Sequence, residues 1–390
     1  MVLVTAQPSV IIVGGGAIGL ACAWSLARRG ARVTVLERFG HVHDRGSHSG
    51  YTRVIRQAYH EGSSYVPLIQ QADAHWSAMQ QRSGRSLLHR TGLLLFGPDG
   101  GRDMLAAIET CRECDLPHTL HDGIDARERW PFRMPDDWIA CFDPSGGYLS
   151  VTACMDVMAE EAVQAGARLR YGVQVVGIDR GPRRGVRLSS GETLTADAIV
   201  LAAGAWLSTL VPSLKSVLTE RRRILAWSTP AAEHRAALEA IPVWGALLDD
   251  GFYYGFPYNE EGIVGLKVAV HTSDTQPWLD RSVEADTVDR GAHARDLDPL
   301  RRVLDEHLPL GRGEFGATHA CLYSCTPTWD FLIDRDPEDA RVILAGGFSG
   351  HGFKFAPAVG DYVGGLLLDE GEVRGDLSLA AAVGAGGSPR

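Results

Sequence analysis

Three groups of residues in this chain have types and spacings that suit chemistry. The first is Gly14-Gly15-Gly16-Ala17-Ile18-Gly19, placed directly after the apolar run Val10 to Val13 and before the helical pattern Leu20 to Arg29. With glycines at Gly14, Gly16 and Gly19, a strand-to-helix turn can close, the backbone can approach a pyrophosphate, and the helix can pack tightly. Phosphate would then meet the free N–H groups of the helix start. Glu37 ends the next apolar run, Ala31 to Leu36, where it can accept hydrogen bonds from a ribose. Strand, turn, helix, strand and terminal acid stand in register, and together they point to a dinucleotide.

The second group is cationic. Thr52, Arg53 and Arg56 read as the start of a helix, and the i, i+3 spacing sets both arginines on one face. Such a pair is either a solvated surface feature or a fork for an anionic ligand, since guanidinium binds carboxylate in a bidentate fashion. Lys354 stands in Gly347-Phe348-Ser349-Gly350-His351-Gly352-Phe353-Lys354, a loop of small and aromatic residues with few structural uses for a long cation. The third group lies in Gly265-Leu266-Lys267-Val268-Ala269-Val270-His271. Its alternation puts Lys267, Ala269 and His271 on one strand face and Leu266, Val268 and Val270 on the other. Either face could look to solvent or to a site.

These residues need a scaffold, and length and composition limit what it can be. At 390 residues the chain exceeds one ordinary core, single domains running to roughly 100 to 200 residues. The expected fold is α/β: a Rossmann-type dinucleotide domain of residues 1–85, 145–222 and 319–380, interleaved with a smaller sheet-based domain of residues 86–144 and 223–318. The Gly, Ala and Ser-rich end, 381–390, reads as a flexible tail. Predicted elements include a strand over Thr91 to Gly97, helices over Met104 to Cys114, Met155 to Ala167 and Ala356 to Leu368, and strands over Gln174 to Ile178 and Ala198 to Leu201.

No apolar run approaches the roughly 18 residues that cross a bilayer, and the start lacks the pattern of a signal peptide. A cytoplasmic protein without a membrane partner is expected. The net charge of −10 and the lack of any basic block longer than Arg221-Arg222-Arg223 argue against nucleic acid. Seven scattered cysteines do not form a secreted disulfide framework. Cys111 and Cys114 make a CxxC, but no second ligand pair lies nearby, so no metal is expected.

Taken in order, the glycine fingerprint, Gly46-Ser47-His48-Ser49-Gly50-Tyr51-Thr52-Arg53-Val54-Ile55-Arg56, Gly265-Leu266-Lys267, Cys321-Leu322-Tyr323 and Gly347 to Phe355 resemble the monomeric sarcosine oxidase and N-methyltryptophan oxidase family over nearly the whole chain. The motif alone does not separate FAD from NAD; its N-terminal position and the absence of a second fingerprint lean to a single FAD. The resemblance implies an FAD-dependent amine oxidase, monomeric, that oxidises a small secondary amino acid with molecular oxygen.

It further implies particular roles. Arg53 would pack on the flavin, and Arg56 with Lys354 would hold the substrate carboxylate. Lys267 would assist the oxygen reaction, with His271 and Tyr254 in the catalytic pocket. Arg38, Ser47, Thr52, Val175, Leu322, Phe348, Gly350, His351 and Lys354 would border the cofactor, together with the fingerprint glycines and Glu37. Cys321 would tether the flavin, with Cys325, on the same strand face, as the alternative. Ser49 and Tyr51 depart from the histidine and acid usual in sarcosine-type members, which loosens the inference on substrate size. Two rivals stay open at this point: an oxidase of a cyclic imino acid, and a flavin dehydrogenase without oxygen reactivity.

Overall fold

A computed structural model describes residues 7–369 and 371–384. Its first layer is a six-stranded sheet in the spatial order Leu332–Asp336, Asp339–Gly346, Ala198–Leu201, Ser9–Val13, Arg32–Leu36 and Arg168–Arg170. All neighbours run parallel except the antiparallel edge strand Leu332–Asp336. The inner strands Ser9–Val13, Ala198–Leu201 and Asp339–Gly346 carry near-continuous runs of Val, Ile and Leu because both faces are covered there. The helices Ala17–Arg28, Val151–Gln164 and Ala356–Leu368 pack over one face. A small sheet of Val175–Asp179, Gly185–Leu188 and Thr193–Thr195 closes over the other.

The second layer is an eight-stranded sheet in the order Gly313–Cys325, Thr219–Pro230, Leu266–Thr272, Gly251–Gly255, Val243–Leu248, Leu93–Pro98, Trp138–Asp143 and Thr119–Asp122. Leu266, Val268 and Val270 face a core shared with the amphipathic helix Ala294–His307, while Ala269 packs with Cys321 and Tyr323 on the opposite face. The alternation read in that strand is therefore the division between core and cavity. The long antiparallel pair Thr219–Pro230 and Gly313–Cys325 carries this sheet up to the dinucleotide layer, setting Arg223 opposite Cys321.

One expectation fails. Thr52 to Ile55 is a strand, paired with Gly147–Ser150, and not the start of a helix; its β-branched Thr52, Val54 and Ile55 suit a pleated surface. The helical turn Leu379–Ala382 runs into the start of the expected tail 381–390 and buries Ala382 completely, anchored by the Ser378 cap and by Leu379 N–H donating to Asp334. Residues 385–390 of that tail lie outside the described residues.

Candidate active site

Two cavities meet between the layers. The first is lined by Gly14, Gly16, Glu37, Arg38, Ser47, His48, Val175, the run Ala202 to Trp206, and Ala345 to Gly350. The glycine turn borders it closely. Gly14 has φ +105°, and a Cβ there would lie 2.4 Å from the Ala202 carbonyl oxygen. At Gly19 a Cβ would lie 1.8 Å from the Gly14 oxygen, so Gly19 shapes the turn from behind and does not line the cavity. Glu37 accepts from the N–H groups of Gly15 at 2.7 Å and Phe39 at 2.8 Å. Burial pushes its carboxyl up, but bonds from His43, Phe39 and Gly15 more than offset this and hold it below the usual range. His48 Nε2 is buried with no hydrogen-bond partner among the described residues, although His48 lines this cavity. A glycine cradle, an acid at the end of the second strand and an orphaned buried imidazole nitrogen fit an adenine dinucleotide such as FAD.

The second cavity is lined by Arg56, Glu61, Trp244, Phe252, Tyr254, Phe256, His271, Cys321, Tyr323, His351 and Lys354. Arg53, Gly350 and Phe353 border both cavities and mark their junction. The two arginines, expected on one helix face, diverge instead. Arg53 bends back along its own loop, donating to the carbonyls of Thr52, Ser47 and Ser49, and its Nη2 approaches Cys321 Sγ at 3.6 Å. Arg56, one residue beyond the strand, enters the second cavity, where its Nη2 donates to both oxygens of Glu61 at 2.6 and 2.7 Å. This buried pair raises the guanidinium against its own burial and holds Glu61 well below the usual carboxylate range.

Lys354 is buried, donates to the His351 carbonyl at 3.0 Å and faces the Tyr59 ring at 4.9 Å. Burial, then the neighbouring Arg56, lower its ammonium to about 7. His351 is pinned between the Tyr59 hydroxyl at 2.5 Å and the Trp329 carbonyl at 3.0 Å. Lys267 is 1% exposed and borders neither cavity directly. Its Nζ donates to Gly50 O and Thr52 O at 2.8 Å and to Thr52 Oγ1 at 3.1 Å, under the Phe256 ring. It thus fastens the Gly50 to Thr52 segment that leads into Arg53, and burial drives its ammonium far below the ordinary value.

Cys321 Sγ lines the second cavity and lies 3.3 Å from the carbonyl of Ser47, which lines the first. Cys325 borders neither cavity. Leu322 faces away, packed with Ala205 and Ala285, and Thr52 meets Lys267 and lines neither cavity. Glu61 was not singled out from sequence, although a carboxylate five positions after Arg56 was a visible signal. The aromatic walls Trp244 and Phe252 were equally missed, since one aromatic in a strand is usually core. The CxxC divides: Cys111 is buried beside Cys141, and Cys114 caps the helix end. No cluster among the described residues could hold a metal ion.

This scaffold is that of a flavin-dependent oxidoreductase. Residues 9–366 match the DAO family, described as FAD dependent oxidoreductase, and the chain belongs to it. It is 32% identical over 376 residues to the monomeric sarcosine oxidase of Bacillus sp. (strain B-0618), covering 95% of this chain and 94% of that protein. It is 31% identical over 353 residues to the N-methyl-L-tryptophan oxidase of Yersinia pestis (strain Pestoides F), covering 90% and 92%. Among solved structures, a variant of NikD, an unusual amino acid oxidase essential for nikkomycin biosynthesis, superposes with a TM-score of 0.81 at 26% identity over 96% of this chain and 97% of that one. The L-proline dehydrogenase of P. horikoshii shares the fold, with a TM-score of 0.76 at 22% identity over 93% and 94%. No helix among the described residues is long and apolar enough to cross a membrane.

Proposed function

We propose that this protein is an FAD-dependent oxidase of a small secondary amino acid, which binds by its carboxylate to Arg56 and Lys354 and is converted to an imine that hydrolyses to aldehyde and amine. The observation that carries the reading is the junction of the two cavities at Arg53, Gly350 and Phe353, with two buried cations beyond it on the side away from the glycine turn. The chemistry that bound FAD would supply is acceptance of a hydride equivalent from the carbon beside the substrate nitrogen, with the two electrons passed on to molecular oxygen to give hydrogen peroxide.

The chain's own residues supply binding, orientation and charge. Gly14, Gly16, Glu37, Arg38, Ser47, Val175, Phe348 and Gly350 would hold the cofactor. For the substrate carboxylate to reach Arg56, Glu61 must yield the Nη2 group it occupies. Lys354 adds a second donor, and Tyr254, His271 and the aromatic walls exclude water from the reacting carbon. Lys267, whose hydrogen bonds to Gly50 and Thr52 favour the ammonium against its burial, would place positive charge beside Arg53, where oxygen becomes anionic as it is reduced. Glu61, paired with Arg56 and held well below the usual carboxylate range, is too weak a base to take the substrate's proton. That suits an amine whose own lone pair assists the oxidation.

A covalent bond from Cys321 to the flavin is part of the proposal. The seam position of its sulfur, between Ser47 and Arg53, supports it, and Cys325 lacks any such access. The aromatic enclosure of Trp244, Phe252, Tyr254, Phe256 and Tyr323 also favours a second reading, oxidation of a cyclic imino acid on the same clamp. We read the protein as a cytoplasmic monomer, in keeping with its net charge of −10.

The test is turnover of the purified yellow protein against N-methyl and cyclic amino acids, with peroxide and products identified. Peroxide from an N-methyl acid supports the first reading, and peroxide from ring substrates alone the second. No peroxide from any amine, with a dye accepting electrons instead, would leave a dehydrogenase. After acid precipitation, colour should stay with the wild-type pellet and leave the Cys321→Ala pellet. Lys267→Met should slow the oxygen reaction about 100-fold or more while sparing flavin reduction.

A further inference from the structure

A cation lies behind the polar wall of the second cavity. Arg223 is completely buried in the strand Thr219–Pro230. Its Nε donates to the His271 carbonyl at 2.7 Å, and its Nη1 to the carbonyls of Leu279 at 2.5 Å and Arg222 at 3.1 Å. Its Nη2 has no hydrogen-bond partner among the described residues. The nearest carboxylate oxygen, on the half-exposed Asp280, is 3.9 Å away. A guanidinium buried without a close counter-ion is unfavourable, and here three carbonyls and a ring face are what compensate it. The ring is that of Tyr323, whose centroid lies 5.1 Å from the guanidinium carbon.

Tyr323 belongs to the cavity wall. Its hydroxyl meets His271 Nδ1 at 3.1 Å and the Tyr254 hydroxyl, so that with Tyr254 donating to the Tyr323 oxygen the single Tyr323 proton is left for His271; all three side chains line the cavity. A hydrogen bond between a phenol and an imidazole nitrogen can run either way, and the direction decides what the imidazole shows to the cavity. A cation on the face of a phenol draws density from the ring and makes its O–H the better donor. Burial holds the Tyr323 hydroxyl far above its ordinary value, so the proton is there to be donated. His271 then accepts at Nδ1 and, as a neutral ring, carries its proton on Nε2.

We infer that Arg223 is a positioning residue: by polarising Tyr323 and anchoring the His271 carbonyl it fixes His271 as the Nε2–H tautomer and gives the cavity an N–H donor there. This rests on reading the second cavity as the substrate pocket. A donor at that point suits a carboxylate oxygen and takes no proton from the amine. Besides Arg223, the ionisable groups around His271 are Glu61, Tyr323, His351 and His60; burial, with Arg223, keeps the ring neutral against the pull of Glu61.

The experiment is nitrogen NMR of the holoenzyme labelled with [15N]histidine, His271 being assigned by the signals lost in His271→Gln. The wild type should show the Nε2–H pattern between pH 6 and 8, Arg223→Lys should keep it, and Arg223→Met should lose it to a mixed or reversed tautomer. An unchanged pattern in Arg223→Met overturns the inference, as does a wild-type ring protonated on Nδ1. Should Arg223→Met not fold, Tyr323→Phe removes the donor and leaves the cation; its His271 must lose the pattern, and an unchanged ring there also overturns the inference. Affinity for methoxyacetate, an inert carboxylate with an ether oxygen in place of the amine, read by flavin absorbance, should fall about tenfold in Arg223→Met. A wild type with the Nε2–H tautomer that binds no carboxylate would sustain the role of Arg223 and remove the substrate-pocket reading instead.

Discussion

Lys354 illustrates how a single side chain here trades stability for binding. Its ammonium is displaced by burial, and then by Arg56, to about 7, whereas an unfolded lysine keeps its proton to about 10.4. Between those values the unfolded chain binds more protons, so this residue makes folding more favourable as pH rises through the window. Its effect on ligand binding has the opposite sign, because only the charged form attracts a carboxylate. In the ligand-free holoenzyme, affinity for a small carboxylate should weaken above pH 7 by up to about tenfold per pH unit. Lys354→Met should flatten that dependence and raise the melting temperature at pH 6 to 8 while losing carboxylate affinity. A titration of flavin absorbance across pH, with calorimetry on both proteins, checks both halves. Lys354 was legible because a long cation in a loop of glycine and aromatics has no ordinary structural use. Glu61, its neighbour across the cavity, looked like one acid among the chain's 48 acidic residues.

At the scale of elements, the dinucleotide motif was legible because turn, helix and strand are local and their chemistry is backbone chemistry. Gly14 and Gly30 both have positive φ, +105° and +90°, but only Gly14 faces a wall; a Cβ at Gly30 meets nothing within 4 Å. Gly14→Ala should therefore yield protein without bound flavin, seen as loss of absorbance near 450 nm. Gly30→Ala should keep its flavin at a cost of about 1 kcal/mol. The strand Thr52–Ile55 went unread because four residues carry too little periodicity to separate it from a helix start. Only its pairing with Gly147–Ser150 decides the matter. A helix would have set both arginines on one face; instead Arg53, on the strand, stands at the junction of the two cavities, and Arg56, one residue beyond it, lines the second alone.

Across the whole molecule, the first cavity joins segments near residues 13–18, 36–53, 173–175, 202–210 and 345–353. A ligand that touches all of them stabilises the folded chain by mass action, by about 2.7 kcal/mol at 100 times its Kd. Cys321→Ala, if it releases the flavin, offers a reversible system. Its melting temperature should rise with added FAD and fall back on removal, and a midpoint indifferent to FAD would contradict the assignment of this cavity.

Family, cofactor and class of reaction were within reach of the sequence, because they depend on local motifs whose order along the chain survives without coordinates. The alternation at Leu266 to His271 likewise named the residues that share a face before any fold was known. Which groups meet was decided by tertiary structure. The pairing of Thr219–Pro230 with Gly313–Cys325 sets Arg223 behind Tyr323 and brings Cys321 to the seam of two cavities. Arg56 is folded onto Glu61, and Lys267 reaches across more than 200 residues of chain to fasten the Gly50 to Thr52 loop. The physical reason is range. Backbone geometry and side-chain periodicity act over a few residues, whereas burial, charge pairing and cavity shape arise only when distant segments exclude water together.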